Sequence, residues 1–366
     1  VSRRVEDNLF PTHRADELMQ RALGLTEATM PHPNPRVGAI VVSPAGEVVA
    51  ERAHLAAGTQ HAEAAALVEA GAAARGSTLV VTLEPCAHHG RTPPCADAVI
   101  DAGVARVVVG AVDPDPRVAG LGIERMRDAG IEVITGIEEA AVRRNDPSYF
   151  HHRSTGRPLV TLKIAMTLDG QSAAADGSSR WITSPEARSD AHRLRAENDA
   201  VLVGNGTVLV DDPRLDVRLD GYDGPQPRPI IVAGRRPISP TAALLGRGPI
   251  IFTPGPMPEP YDGPDQPVVM PGRDGVDLVG VVKHLGGEGV LSVLVEGGSK
   301  IAGSALRAGI VDRIVLYFGA KLAGGMGLPA ITGRLETISD VRDLSITRVT
   351  RLGPDLRVDA VLENGG

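Results

Sequence analysis

Short apolar runs alternate with helix-forming stretches along most of the chain. A helical stretch around Ala15 to Leu23 precedes the run Val37-Gly-Ala-Ile-Val-Val. The runs Thr78-Leu-Val-Val-Thr-Leu, Arg106-Val-Val-Val-Gly-Ala-Val and Ile131-Glu-Val-Ile-Thr follow, each separated from the next by sequence suited to a helix. Apolar runs of this length, bounded by turn signals, read as buried strands. Their alternation with helices predicts an α/β layer with a largely parallel sheet. The pattern breaks where Arg143-Arg-Asn-Asp-Pro leads into Arg157-Pro158, so a domain boundary is expected there, giving domains over 1–150 and 157–366. A second α/β unit is then predicted. Its strand candidates are Leu159-Val-Thr-Leu-Lys-Ile-Ala, Ala200-Val-Leu-Val-Gly, Pro229-Ile-Ile-Val-Ala, Gly248-Pro-Ile-Ile-Phe, Val290-Leu-Ser-Val-Leu-Val-Glu and Arg313-Ile-Val-Leu-Tyr-Phe. The segments around Gln226 and between Pro254 and Pro267 are rich in Pro and Gly and read as surface loops.

Composition supports two cores: 366 residues, 42% apolar against 23% charged, exceed what one domain ordinarily holds. A formal net charge of −7 without a basic block argues against a nucleic-acid partner, because neutralising phosphates takes clustered Lys and Arg. Aromatic residues, at 2%, are too sparse to stack splayed bases. A small soluble molecule is the better substrate. The opening Val-Ser-Arg-Arg-Val-Glu-Asp has no apolar signal core and no run is long enough to span a bilayer, so no membrane partner and a cytoplasmic location are expected.

The chemistry concentrates in one region. The two cysteines stand in Leu-Glu-Pro-Cys86-Ala-His-His-Gly-Arg-Thr-Pro-Pro-Cys95, downstream of His61-Ala-Glu63. One imidazole and two thiolates supply the three protein ligands of a catalytic zinc, whose fourth position stays open for water. Glu63 is then the proton carrier, as in zinc deaminases, whose signature is His-x-Glu followed by Pro-Cys-x-x-Cys. Here eight residues, not two, separate the cysteines. A buried thiol pair or a disulfide would leave the histidine and glutamate unexplained, and a structural zinc would take a fourth protein ligand. His61 and Glu63 open an alanine-rich helix former, Cys86 follows a strand, and Pro94 begins a helix at Cys95 whose N-terminus favours the thiolate.

The second half is quieter. Val295-Glu296-Gly-Gly-Ser-Lys-Ile-Ala-Gly303-Ser304 reads as a strand ending in glycines and opening a helix. Such a turn cradles phosphate or is an ordinary tight turn, and the pattern leaves both open. Asp211-Asp212-Pro fits a turn or helix cap better than a catalytic dyad.

Asn34-Pro-Arg-Val-Gly38, His61-Ala-Glu63, Glu84-Pro-Cys through Cys95 and Asp113-Pro resemble the deaminase half of the bacterial bifunctional riboflavin-biosynthesis family. Lys163-Ile-Ala-Met-Thr-Leu-Asp-Gly170, Ser179-Arg-Trp181-Ile-Thr-Ser, Gly206-Thr-Val-Leu-Val-Asp-Asp-Pro213 and Val295-Glu-Gly-Gly298 resemble its reductase half. The resemblance implies a cytidine-deaminase-like three-layer α/β domain followed by a dihydrofolate-reductase-like α/β domain. It implies zinc and NADPH as cofactors and a phosphorylated pyrimidine as substrate; a homo-oligomer is expected. The reactions would be hydrolytic deamination of a diamino-hydroxy-pyrimidine bearing a phosphoribosylamino group, then reduction of the ribosyl chain to ribityl.

By the same resemblance Glu63 is catalytic, His61, Cys86 and Cys95 hold the metal, and Asn34, His54, His88 and Arg91 bind the deaminase substrate. Ala165, Trp181, Thr207, Asp211, Gly234 and the run Gly298, Ser299, Lys300, Ile301, Ala302, Gly303 and Ser304 align with cofactor positions. Ser179, Arg195, Leu215, Arg218 and Glu296 align with substrate positions of the reductase. Taken alone, Trp181 reads most simply as a core residue. The chain departs from the family at Asp115 and Leu121, where Asn and Lys are usual. Two other readings compete: a zinc deaminase of another small pyrimidine with a non-reducing, ligand-binding second domain, and a zinc-stabilised nucleotide-binding scaffold. Glu63 beside an open metal position argues against the scaffold.

Overall fold

The computed structural model describes residues 12–87, 93–234, 237–256, 266–333, 336–338 and 341–363. The chain divides into two compact units, one ending at Thr155 and one beginning at Gly156.

The first unit runs α1 (Thr12–Gly24), β1 (Gly38–Val42), β2 (Val48–Ala53), α2 (Ala62–Ala70), β3 (Thr78–Leu83), α3 (Cys95–Asp101), β4 (Arg106–Ala111), α4 (Leu121–Asp128), β5 (Glu132–Thr135), α5 (Glu139–Asn145) and α6 (Pro147–Thr155). Its five strands lie in the order β2-β1-β3-β4-β5. The pairs β3/β4 and β4/β5 are parallel, whereas β1 runs antiparallel to both β2 and β3. The sheet is therefore mixed, not largely parallel: the polar strand β2, with its Glu51 and Arg52, returns on β1 as a hairpin that the apolar runs did not announce. Every residue of β1 is buried, as are all but the first of β3 and of β4, because helices cover the sheet. The polar stretch after Arg143 is helix, as α5 and α6 run through it.

A single carboxylate holds the loop after β4 against the end of β3. Glu84 accepts backbone N–H bonds from Asp113, Gly120, Gly122 and Ile123. Gly122 lies so close that an added Cβ would meet the Pro85 carbonyl oxygen at 1.9 Å, so only glycine permits this approach beside Cys86.

The second unit contains β6 (Leu159–Thr167), β7 (Gln171–Ala173), α7 (Pro185–Ala196), β8 (Ala200–Gly204), α8 (Asn205–Asp211), β9 (Arg228–Val232), β10 (Ile250–Thr253), β11 (Val268–Val269), β12 (Pro271–Gly272), β13 (Gly275–Val276), α9 (Leu278–Gly287), β14 (Ser292–Val295), α10 (Ser299–Arg307), β15 (Arg313–Gly319), β16 (Leu328–Pro329), β17 (Leu344–Leu352) and β18 (Asp355–Leu362). Nine of these strands form one sheet, ordered β11-β10-β9-β8-β14-β6-β15-β18-β17. It is parallel from β11 to β15, and β18 and β17 close it as an antiparallel hairpin. Two apolar clusters form the unit's core. One joins β6, β14 and the buried faces of α9 and α10, and the other joins β8, β9 and β15 with Ala187 and Leu194 of α7. The ends of β8, β14 and β6 open side by side at the carboxyl edge of the sheet, where open α/β sheets bind ligands.

Candidate active site

In the first unit α2 begins at Ala62 with His61 as its N-cap residue, and the imidazole makes no capping bond, leaving it available elsewhere. Cys86 follows β3, and Cys95 is the first residue of α3. Their donor atoms converge. His61 Nδ1 lies 3.2 Å from Cys95 Sγ and 3.9 Å from Cys86 Sγ, and the three donor atoms all lie within 4.8 Å of one another. A tetrahedral zinc places N and S ligands about 3.5 Å apart, so the set fits this metal. Hydrogen bonding, first from Cys95 and then from His61, holds the Cys86 thiol down at about 4. The Cys95 thiol is pushed up by its bond to Cys86 and by burial, so a cation between the two sulfurs is what would let both ionise.

Glu63, the second residue of α2, is 4% exposed, and its Oε2 has no hydrogen-bond partner. Burial pushes its carboxyl pKa up. Asn34 Nδ2 contacts His54 Nε2 at 3.0 Å, and His54 Nδ1 lies 3.1 Å from the Gln60 carbonyl, which orients this pair beside His61. Burial lowers the His54 pKa, keeping its ring neutral. A cleft of about 430 Å³ collects Asn34, His54, His61, Glu63 and Cys86. It is also lined by residues absent from the sequence-derived set: Asp113, Asp115, Arg117, Tyr149 and Arg153. Nothing in the sequence pattern marked Tyr149 or Arg153, because the stretch that became α6 looked like a boundary. Asp115 is paired with Arg117 at 2.6 Å and lies 3.8 Å from Arg153 Nε. Hydrogen bonding to Arg117 holds its carboxyl down at about 2, so the departure at this position carries its own counter-ions. Leu121 is half-exposed at the start of α4. His88 and Arg91 lie outside the described residues.

In the second unit Glu296 follows β14 and is the hub of a charge cluster. Arg195 of α7 grips it with two bonds of 2.7 and 3.0 Å, and Lys163 of β6 reaches it at 3.0 Å. Lys163 and Arg195 together hold the half-buried Glu296 carboxyl at about 2 despite desolvation. Arg195 also donates to the Asp216 carbonyl, fixing the segment that carries Leu215. The Leu215 side chain, 2% exposed, belongs to the core, so only its backbone is available to a ligand. Arg218 is bound to Asp216 at the surface.

The Gly298 N–H donates to Thr207 Oγ1 at 3.2 Å, joining the turn after β14 to α8. Gly298 is the N-cap of α10 and provides no side-chain cap, so the first N–H groups of that helix lack one. These donors fit an anionic cofactor group. Ser299, Lys300 and Ser304 retain exposed or half-exposed positions, but Ile301, Ala302 and Gly303 are buried. An added Cβ at Gly303 would meet the Thr332 carbonyl at 1.8 Å, so this glycine serves helix packing. Trp181 is not a core residue: it is 60% exposed, with the Arg188 guanidinium 4.3 Å from its ring centroid. Ser179 is half-exposed in the preceding turn, Ala165 lies on β6, Asp211 ends α8, and Gly234 follows β9 at the surface. Asp212 caps α8 in the left-handed region, as expected of a turn and not a dyad. Lys163, quoted only within a motif, emerges here as a constituent of the cluster.

Comparison with known proteins gives the same division. Residues 12–111 match the family model of the cytidine and deoxycytidylate deaminase zinc-binding region, and residues 158–358 match that of the RibD C-terminal domain. The chain is 38% identical to riboflavin biosynthesis protein RibD of Escherichia coli strain K12, across 94% of this chain and 96% of that protein. The solved structure of Acinetobacter baumannii RibD superposes with a TM-score of 0.89 at 33% identity, covering 96% of this chain and 100% of that one. A Thermotoga maritima structure described as a diaminohydroxyphosphoribosylaminopyrimidine deaminase/5-amino-6-(5-phosphoribosylamino)uracil reductase superposes with a TM-score of 0.87 at 34% identity, covering 96% and 99%. Both expected folds, cytidine-deaminase-like and reductase, are thus shared with full-length relatives. The chain belongs to the bifunctional riboflavin-biosynthesis family of zinc-dependent deaminases joined to NADPH-dependent reductases.

Proposed function

We propose that the first unit deaminates 2,5-diamino-6-(5-phosphoribosylamino)pyrimidin-4-one and that the second reduces the ribosyl chain of the product to ribityl. The observation that carries the first step is the convergence of His61, Cys86 and Cys95 beside the unbonded Oε2 of Glu63. His61, Cys86 and Cys95 would hold the zinc, which when bound would make the attacking water more acidic beside Glu63. Glu63 takes a proton from the attacking water and delivers it to the ring nitrogen, then carries a second proton from the new hydroxyl to the departing amine, which leaves as ammonia. Its burial suits this, since penalising the charged form raises the carboxyl pKa and makes the group a stronger proton acceptor. Asn34 and His54 hold the ring, and His88 and Arg91 are assigned to the ribose phosphate.

For the second step NADPH supplies the hydride. The α10 N-terminus, with Thr207 and Gly298, binds cofactor phosphate, while Trp181, Asp211, Ala165 and Gly234 line the remainder of its path. Lys163, Glu296 and Arg195 form a charged base at the carboxyl edge, where the substrate is oriented with Ser179, Leu215 and Arg218. A non-reducing second domain is not favoured, because the reductase family model spans most of this unit. Homo-oligomeric assembly belongs to the same reading: β17 pairs with β18 alone among the described strands, and it exposes Ile346 and Val349. So does a cytoplasmic location, since two thiols kept free to hold a metal suit a compartment that does not oxidise them.

The test is to incubate the protein with the phosphoribosylamino pyrimidine and NADPH, following ammonia and nicotinamide absorbance separately. Ammonia should appear without NADPH, and absorbance should fall only once deaminated product has formed. Absence of ammonia would refute the deaminase assignment, and NADPH left unoxidised on supplied intermediate would refute the reductase assignment.

A further inference from the structure

The deaminase cleft is also lined by a carboxylate that the reaction described above leaves unused. Asp113 follows β4, is 5% exposed and lines the cleft. Its oxygens accept the Tyr149 hydroxyl at 3.0 and 3.2 Å, and Oδ1 also accepts the Asp115 N–H at 2.8 Å. No lysine, arginine or histidine pairs with it among the described residues, and burial raises its carboxyl to about 6. A buried carboxylate without a cation is costly unless further donors reach it. The open side of the cleft is where such donors would arrive, and an amino-pyrimidine carries N–H groups at its ring edge and at its exocyclic nitrogens.

Tyr149 is placed to aim this group. It stands on α6, 4% exposed, with its N–H accepted by Asp146 Oδ1 at 3.2 Å. Asp146 Oδ2 accepts the Arg36 N–H at 3.0 Å, so one carboxylate ties α6 to the segment that presents Asn34. The Arg153 guanidinium lies 5.1 Å from the Tyr149 ring centroid and approaches Asp115 at 3.8 Å, packing beside the phenol. We propose that Tyr149 is a positioning residue of the deaminase, fixing the Asp113 carboxylate so that it accepts N–H bonds from the amino-pyrimidine ring. The proposal rests on the deaminase reading above and adds to it the element that sets ring specificity, α6.

A merely structural tie between α6 and the β4 loop would look alike in a static structure but not in a double-mutant cycle. The full-length, zinc-loaded protein is compared with Tyr149→Phe, Asp113→Asn and the double variant, measuring kcat and KM for ammonia release and zinc content. NADPH oxidation on supplied intermediate serves as the control for the second unit. Tyr149→Phe removes one oxygen and keeps the ring. It should lower kcat/KM by about tenfold or more, chiefly through KM, as expected when a hydrogen bond to a charged group is lost. Zinc content should not change. On the Asp113→Asn background the same substitution should change kcat/KM less than about twofold. Wild-type kcat/KM in Tyr149→Phe, an equal drop on both backgrounds, or loss of zinc would overturn the proposal. Failure of the wild-type protein to release ammonia at all would instead remove the deaminase reading, and this inference with it.

Discussion

Glu63 illustrates how a residue's environment selects its chemistry. An exposed glutamate is ionised at neutral pH and a poor acid, but at 4% exposure, beside a cluster of metal-binding donors, the charged form is penalised. Glu63→Gln preserves size and polarity and leaves His61, Cys86 and Cys95 in place. We expect it to retain one zinc per chain by elemental analysis while ammonia release falls roughly 10²–10⁴-fold, the usual worth of a general acid/base. Near-normal turnover would take the proton carrier away from this side chain. The metal-binding set was legible because histidine, glutamate and cysteine at these positions have little else to do in common. Partners were not legible where chemistry depends on the far end of the chain. Glu296 looks like a lone acid at a strand end, yet in the fold it is neutralised by Lys163 and Arg195, which lie 133 and 101 positions away. A substitution there strips two half-buried cations of their counter-ion and does not simply remove a substrate contact.

At the scale of elements, the apolar runs predicted the buried parallel strands because burial on both faces leaves an uninterrupted apolar signature. Strands with one wet face escaped: β2 alternates with charge, and β17 is exposed over most of its length. The same limit hid α6, whose His, Arg and Ser residues gave no apolar stripe although Ser148, Tyr149, Phe150 and His152 are buried. The turn between β14 and α10 was legible as a shape, though not as a binding site, and the structure makes its test clean. Gly298 has φ −69°, and a Cβ there would meet only Thr207 Oγ1 at 3.7 Å, ordinary contact. Valine should therefore be tolerated by the protein and felt by the ligand. Gly298→Val should raise the Kd for NADPH at least about tenfold in calorimetric titration, since losing one bond to a charged phosphate is worth that much. The variant should still melt like the parent. Unchanged NADPH affinity would move the phosphate site away from α10.

At the scale of the whole molecule, two chemistries with no shared group occupy one chain. The residues assigned to zinc gather at the mouths of α2 and α3, whereas those assigned to the reductase gather about a nine-stranded sheet with its own two apolar clusters. None of the residues assigned to zinc belongs to the second unit, and none assigned to NADPH belongs to the first. Separate cores imply that loss of the metal should act on one activity alone. Removing zinc with a chelator costs the first unit the cation that lets Cys86 and Cys95 both ionise, and ammonia release should cease. NADPH oxidation should continue at its original rate when the already deaminated intermediate is supplied, and restoring zinc should restore deamination. Loss of both activities, with the second unit still folded by circular dichroism, would mean that reduction depends on the metal site, contrary to the separation of ligand sets that the two units display.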